Sequence, residues 1–425
     1  MDDSNVNLEI YEPREDSFIL QKQVKEHAFG KVLDIGTGSG IQALTAKDLS
    51  SVKSVTAIDI NPNAIKKLKE KISIKNNNSI KGLSSLKKLK SFNAFESNLF
   101  ENVNVTGKFD TIIFNPPYLP QDVIGDTIID DMALYGGKFG WEIIELFLKG
   151  ASNYLNSNGI ILLLFSSLTN KEKVDSLIDL NLFEKELLIE EKMPMFETLY
   201  VYKITANKIK EMLISRGIKN VNYLSKGRRG LVFKGKWDKN SIIKSHIAKE
   251  NIIDVVIKIT NPDSSAQNRI VNEAKWLVKV NKIQIGPKLY FYDEKNESFI
   301  VEEFILGKHF PAFVKEFGKN SKEVKSVILQ LLNQCRKLDL LYVDKEEMTR
   351  PLKNVLVTKE NGQYKVCLLD FERCSSTPNP QNVSQFCSFL VHHNYINKEK
   401  GIKLSKEYKQ TYSDDAFEEI LTNLC

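Results

Sequence analysis

Phe109-Asp110-Thr111-Ile112-Ile113-Phe114-Asn115-Pro116-Pro117-Tyr118 is the stretch that decides the fold. A mostly apolar run of this length reads as a buried strand, and two prolines directly after it forbid continuation. Asn115 is therefore left projecting at the strand's carboxyl end, which is where open α/β sheets bind their ligands. Its amide and the prolyl carbonyls make a small rigid cup of acceptors with one donor. Such a cup suits a planar NH2 group, either an amide or the exocyclic amine of a base. As a bare tetrapeptide the sequence is equally a turn, so its setting has to decide.

Working outward, Lys31 to Ile35 is a short apolar strand, followed by Gly36-Thr37-Gly38-Ser39-Gly40 and a helical run from Ile41. Glycines let a ligand approach the backbone, with a helix N-terminus just beyond. The spacing is not that of the dinucleotide fingerprint. A second strand, Ser54 to Ile60, carries Asp59, placed as a ribose-binding carboxylate is placed. Asn61-Pro62 then opens a helix expected to run to about Lys75.

Loop, carboxylate and cup in this order resemble the class I S-adenosylmethionine-dependent methyltransferases of the release-factor glutamine methyltransferase type. The resemblance covers nearly all of residues 8–204, and its Tyr11-Glu12-Pro13-Arg14-Glu15-Asp16-Ser17 opening is similar to the archaeal and eukaryotic branch. Further marks are Ser97-Asn98-Leu99-Phe100, Leu134-Tyr135-Gly136-Gly137-Lys138-Phe139-Gly140, and Met195 to Val201 as a closing strand. It implies that Asp34 and the backbone of Gly36, Gly38 and Gly40 hold the methionine end of S-adenosylmethionine. It implies Asp59 on the ribose and Asn98 near the adenine, where relatives usually carry Asp. Asn115 and the Pro116 carbonyl would grip the acceptor nitrogen, with Tyr118 packing over it. The implied partner is a class 1 peptide release factor. Asn-Pro-Pro-Tyr cups also occur in nucleic-acid amino-methyltransferases, which flip their target base. The only basic run of this half is Lys81 to Lys90, which a solvated surface explains.

At 425 residues the chain is long enough for two domains. Residues 1–206 carry a net charge of about −5 and residues 207–425 about +11, a division that marks two units. The basic half leaves RNA or ribosome contact open beside a Lys-rich solvated exterior. Five scattered cysteines argue for free thiols, and five histidines show no metal-ligand spacing. With an acidic N-terminus and no membrane-length apolar run, the chain reads as a cytoplasmic protein.

In residues 207–425 a glycine-rich hairpin turn spans Gly227 and Gly230. Lys258 sits in the strand Asp254 to Ile259 among β-branched neighbours, costly unless paired. Glu273, in the helical run Asn268 to Val280, is its candidate partner. Phe299 to Phe304 reads as a strand, and Val366 to Glu372 as a strand ending in acidic residues that include Asp370. This order resembles the protein-kinase fold in a compact, Rio-type form, over about residues 220–390. The resemblance implies ATP under the glycine loop, Lys258 paired with Glu273, and Mg2+ held by Asn354 and Asp370. Asp370-Phe371-Glu372 stands where Asp-Phe-Gly is usual, and a His-Arg-Asp triplet is missing. Glu347, seven positions before Asn354, is the candidate base toward an unknown protein substrate. A nucleotide-binding scaffold without phosphotransfer stays open. The expected architecture is thus a Rossmann-like seven-stranded methyltransferase domain over 1–206 and a compact bilobal α+β kinase-like domain over 207–425.

Overall fold

The computed structural model describes residues 10–81, 90–103, 108–121, 136–227, 230–239, 251–260 and 269–424. Residues 82–89 of the basic run, Leu134 and Tyr135, Arg228 and Arg229, and Asn268 lie outside them. The chain divides into two compact units, Met1–Asn222 with Asp238–Lys249, and Tyr223–Trp237 with Glu250–Cys425.

The first unit alternates strand and helix. Its order is α1 (Glu15–His27), β1 (Gly30–Ile35), α2 (Ile41–Asp48), β2 (Val52–Asp59), α3 (Pro62–Lys81), β3 (Ser91–Glu96) and β4 (Phe109–Phe114). Then follow α4 (Glu142–Tyr154), β5 (Leu155–Ser166), α5 (Lys171–Leu180), β6 (Phe183–Lys192), β7 (Thr198–Ala206) and α6 (Lys208–Ser215). The seven strands form one sheet in the order β3-β2-β1-β4-β5-β7-β6. β1 to β5 are parallel, while β7 runs antiparallel between β5 and β6. Near-continuous apolar runs in β1, β4 and β5 follow from burial on both faces, since helices cover both sides of a parallel sheet. One core lies beneath α4 and α5 around Phe114 and Phe147, the other beneath α1 and α2 around Leu20 and Val32.

Two boundaries differ from the sequence reading. The helix after Asn61 runs on to Lys81, because no glycine or proline interrupts it before Gly82. The closing strand begins at Thr198, not Met195: Met195 and Phe196 both take left-handed backbone angles (φ 59° and 62°) after Pro194, incompatible with a ladder.

An antiparallel sheet in the order β11-β12-β10-β9-β8 follows, most of it in the second unit. Its strands are β8 (Ile218–Lys226), β9 (Gly230–Asp238), β10 (Ile252–Thr260), β11 (Leu289–Tyr292) and β12 (Phe299–Glu303), with α7 (Arg269–Val280) between β10 and β11. Next come β13 (Lys308–His309), α8 (Phe310–Phe317), α9 (Lys322–Leu340), β14 (Val343–Asp344), β15 (Val355–Glu360), β16 (Gln363–Leu368) and β17 (Ser375–Ser376). Three helices, α10 (Asn382–His392), α11 (Lys398–Thr411) and α12 (Asp414–Thr422), complete it. One core runs from Ile270 and Ala274 of α7 through α9 to Phe417 and Ile420 of α12. β16 stops at Leu368, two residues short of Asp370, whose φ of 64° breaks the strand. Among the described residues no helix is long and apolar enough to cross a membrane.

Candidate active site

The carboxyl ends of β1, β2 and β4 converge, since Ile35 pairs with both Ile58 and Phe114. Strand order reverses between β1 and β4, the position at which such sheets form a ligand crevice. Asp34, Asp59 and Asn115 all sit at this edge.

Beyond β1 the turn takes left-handed angles at Gly36, Gly38 and Gly40 (φ 62°, 51° and 83°). A methyl group on Gly40 would lie 2.5 Å from a buried Leu68 methyl. The turn is pinned from both strands: Gly38 N–H donates to Asp59 Oδ2 at 2.8 Å, and Thr37 N–H to the Ile58 carbonyl at 2.9 Å. Asp59 Oδ1 accepts from Asn61 N–H at 2.8 Å. Asp34 Oδ2 accepts from Thr37 Oγ1 at 2.6 Å and from Ala43 N–H at 3.1 Å. Burial pushes the Asp34 carboxyl up to about 7, with Asp59 adding to the effect and the Thr37 and Ala43 hydrogen bonds opposing it. Burial likewise raises Asp59, against three backbone hydrogen bonds. Two buried carboxylates at one turn leave room for hydroxyl donors and a cationic group, which matches the ribose and amino-acid ends of S-adenosylmethionine.

At β4's end Asn115 Nδ2 donates to Asp16 Oδ2 at 2.8 Å. Its Oδ1 is buried and has no hydrogen-bond partner among the described residues. The donor side of the amide is thus committed to Asp16, and its buried acceptor side has no partner among the described residues. The Tyr118 phenol is held above its ordinary range by burial, then by Asp16, Tyr11 and Glu197. Backbone of the glycine-rich segment braces the cup: Gly136 N–H donates to the Leu119 carbonyl at 2.9 Å, and a Cβ on Gly140 would stand 2.5 Å from the Tyr118 carbonyl. Tyr11 lies over the glycine turn, its carbonyl 3.6 Å from where a Gly38 Cβ would be, with the Arg14 guanidinium 5.4 Å over its ring.

The model of the methyltransferase small domain family matches residues 15–184. A "putative protein N5-glutamine methyltransferase" of Methanocaldococcus jannaschii is 40% identical over 196 residues, 45% of this chain and 90% of that protein. The chain belongs to this methyltransferase family. A release factor glutamine methyltransferase of Fusobacterium nucleatum is 40% identical over 161 residues, covering 35% of this chain and 42% of that protein. This chain therefore spans less than half of that bacterial enzyme. The solved E. cuniculi Mtq2–Trm112 complex, responsible for methylating the termination factor eRF1, is 23% identical, with a TM-score of 0.35 over 47% of this chain and 99% of that one.

In this methyltransferase Asn98 is exposed and donates to Glu101 Oε1 at 3.2 Å, while its neighbour Ser97 is buried and bonds the Asp59 carbonyl through its N–H. Sequence reasoning took the Tyr11 to Ser17 segment only as a family mark, and so missed Asp16 as the Asn115 partner. Asp16 is buried in the first turn of α1 beside one other acidic residue, Glu15, and no sequence pattern marks it.

In the second unit two of the expected pairs meet, Lys258 with Glu273 and Asn354 with Glu347. Lys258 Nζ lies 2.7 Å from Glu273 Oε1 and 2.9 Å from Glu302 Oε1. Burial works against the lysine's charge, yet Glu273 and Glu302 outweigh it and hold it protonated. Glu302, which the sequence reading left as a strand residue, keeps a buried Oε2 without a partner among the described residues. Glu273 Oε1 also accepts from Phe371 N–H at 3.4 Å, and Lys345 Nζ donates to the Asp370 carbonyl at 2.8 Å. Glu347 Oε2 accepts from Asn354 Nδ2 at 3.2 Å, and its Oε1 lies 2.8 Å from Arg373 Nη1. Gly227 N–H donates to the Gly230 carbonyl at 2.8 Å, closing the turn between β8 and β9. Among the described residues no group of three His, Cys, Asp or Glu side chains could hold a metal ion by itself.

Proposed function

We propose that residues 1–206 methylate the side-chain amide of a glutamine in a class 1 peptide release factor, with S-adenosylmethionine as donor. The observation that carries this reading is the buried, unpartnered Asn115 Oδ1, its amide oriented by Asp16. A buried acceptor left unmade costs about 1–3 kcal/mol, so an N–H from the substrate is strongly favoured there. Asn115 Oδ1 and the Pro116 carbonyl take the two hydrogens of one planar NH2 and fix the face its nitrogen presents. Tyr118 packs over that group and keeps water from it. Asp34 and the glycine turn hold the amino-acid end of the donor, and Asp59 takes its ribose. When bound, S-adenosylmethionine supplies an electrophilic methyl on its sulfonium. The protein's part is positioning, which needs no nucleophilic side chain.

The cup by itself admits a nucleobase amine as well. Asp16, Glu197 and the net charge of about −5 on residues 1–206 favour a polypeptide over a polyphosphate chain. Incubation of the full chain with tritiated S-adenosylmethionine and a cell lysate, followed by separate recovery of protein and RNA, tests this. Label is expected in a protein of release-factor mass; label confined to RNA or DNA would sink the reading.

For residues 207–425 the Lys258–Glu273 pair favours a second reading, a kinase-like domain that binds a magnesium nucleotide. In it Asn354 and Asp370 hold the metal, Gly227 and Gly230 flank the phosphates, and Glu347 is the base toward a protein hydroxyl.

A further inference from the structure

The turn between β6 and β7 is built unlike a connecting turn. Met195 and Phe196 are 93% and 102% exposed, so two large apolar side chains stand wholly in solvent. Both occupy left-handed backbone, a conformation that costs about 1–3 kcal/mol for such residues and persists where surrounding structure enforces it. The enforcing bonds are local. Met193 N–H donates to the Glu197 carbonyl at 2.8 Å, closing the turn, and Thr198 N–H donates to Ser167 Oγ at 3.0 Å. Ser167 begins the 3-10 turn Ser167–Thr169, whose Thr169 Oγ1 donates to the Tyr118 carbonyl at 3.0 Å. The turn is thus tied to the acceptor cup through one short helical turn.

Glu197 closes the strained pair. Its Oε1 is buried without a hydrogen-bond partner among the described residues, a costly state for a carboxylate oxygen unless a ligand supplies the donor. Two more exposed apolar side chains stand on segments bonded or packed to the cup: Leu168 on the 3-10 turn, and Phe139 beside Gly140. The sequence reading had absorbed this stretch into the closing strand, and no step of methyl transfer is assigned to it.

We infer that Met195, Phe196 and Glu197 form a docking clamp for the acceptor polypeptide, a proposal that rests on the methyl-transfer reading. Met195 and Phe196, continued by Leu168 and Phe139, cover apolar side chains flanking the acceptor glutamine. Glu197 Oε1 accepts a backbone N–H from the same segment, which threads the glutamine toward Asn115. Apolar contact and an anionic acceptor together fit a polypeptide, because a nucleic acid presents phosphates to this face. The clamp acts on binding and leaves the transfer step to the cup.

The test is steady-state methylation of a recombinant archaeal class 1 release factor by the full chain. It compares the wild type with Met195→Ser/Phe196→Ser and with Glu197→Gln. Because both apolar side chains are fully exposed, the double variant should keep its circular dichroism and its affinity for S-adenosylmethionine. Loss of uniform binding raises KM with kcat unchanged, so about a tenfold rise is expected for the double variant and roughly fivefold for Glu197→Gln. Wild-type transfer with an unaltered KM in the double variant would overturn the clamp and leave the methyltransferase reading standing. An unaltered KM in Glu197→Gln alone would overturn the N–H contact. No wild-type transfer to the release factor, with label in RNA instead, would remove both.

Discussion

At the scale of single residues, orientation is the recurring theme. An asparagine amide can face either way, and Asp16 decides the matter by accepting from Nδ2, which leaves the buried Oδ1 without a partner among the described residues. Asp16→Ala frees the amide to rotate and should lower kcat about 10- to 100-fold, the cost of a misplaced reacting group, with donor affinity within about twofold. Equal losses of kcat and donor affinity would show instead that Asp16 holds the fold. Asp34 gives a pH dependence. Its carboxyl is raised to about 7 in the ligand-free protein, chiefly by burial. A raised carboxyl means that the folded state holds the extra proton between the ordinary carboxylate range and about pH 7, so its contribution to stability falls as pH rises through that window. A cationic ligand beside it reverses the shift and expels the proton. S-adenosylmethionine binding near pH 7 should therefore release a fraction of a proton, read by calorimetry in phosphate and Tris buffers. Identical heats in the two buffers would contradict this. Asn115, Asp34, Asp59 and Lys258 were legible because each ends or interrupts an apolar run, where a polar group needs a reason. Asp16, Glu197 and Glu302 were not, since their meaning depends on partners distant in sequence or on a buried oxygen that no pattern marks.

Among the elements, strands were read more surely than their ends. The runs that became β1, β4 and β5 are apolar almost throughout, as strands buried on both faces must be. The order in which they pair, with β7 inserted antiparallel between β5 and β6, is set by packing and left no local mark. The end of the β6–β7 turn was misplaced because Met195-Phe196 has the composition of a strand, and its left-handed backbone comes from neighbouring bonds. In the glycine-rich segment, Gly140 sits where only a glycine fits. Gly140 has φ 83°, and a Cβ there would meet the Tyr118 carbonyl at 2.5 Å and the Pro120 nitrogen at 3.1 Å. Both obstacles are backbone, so Gly140→Ala must shift the cup itself. We expect about a 100-fold loss of kcat at most modestly changed thermal stability, since the displaced segment lies at the site's edge. A variant with normal turnover in a methyl-transfer assay would show that the segment does not brace the cup.

For the whole molecule, the chain joins the methyltransferase unit to a second compact unit. The charge division was read as two units over 1–206 and 207–425, whereas the compact units first divide after Asn222 and exchange short segments, with Tyr223–Trp237 in the second and Asp238–Lys249 in the first. No sequence pattern signalled that exchange, because contacts define it and composition does not change across it. The proposed kinase-like half rests on the Lys258–Glu273 pair, with Glu347 bonded to Asn354 and Arg373 and the Asp370 carbonyl accepting from Lys345. Asp370→Ala should weaken magnesium-ATP binding at least about tenfold by titration calorimetry, since the carboxylate proposed to hold the metal is lost. Methyl transfer by the same variant should be unchanged. No heat with wild-type protein at millimolar ATP would refute nucleotide binding.

The central claim is that Asn115 holds the acceptor amide and takes no part in holding the donor. Asn115→Ala in the full chain tests it most directly, with transfer to the release factor and S-adenosylmethionine affinity measured on the same preparation. Removing a group that only the acceptor uses should cut kcat/KM about 1,000-fold or more while donor affinity stays within about twofold. Transfer at close to the wild-type rate, or a donor affinity that collapses with activity, would contradict the account.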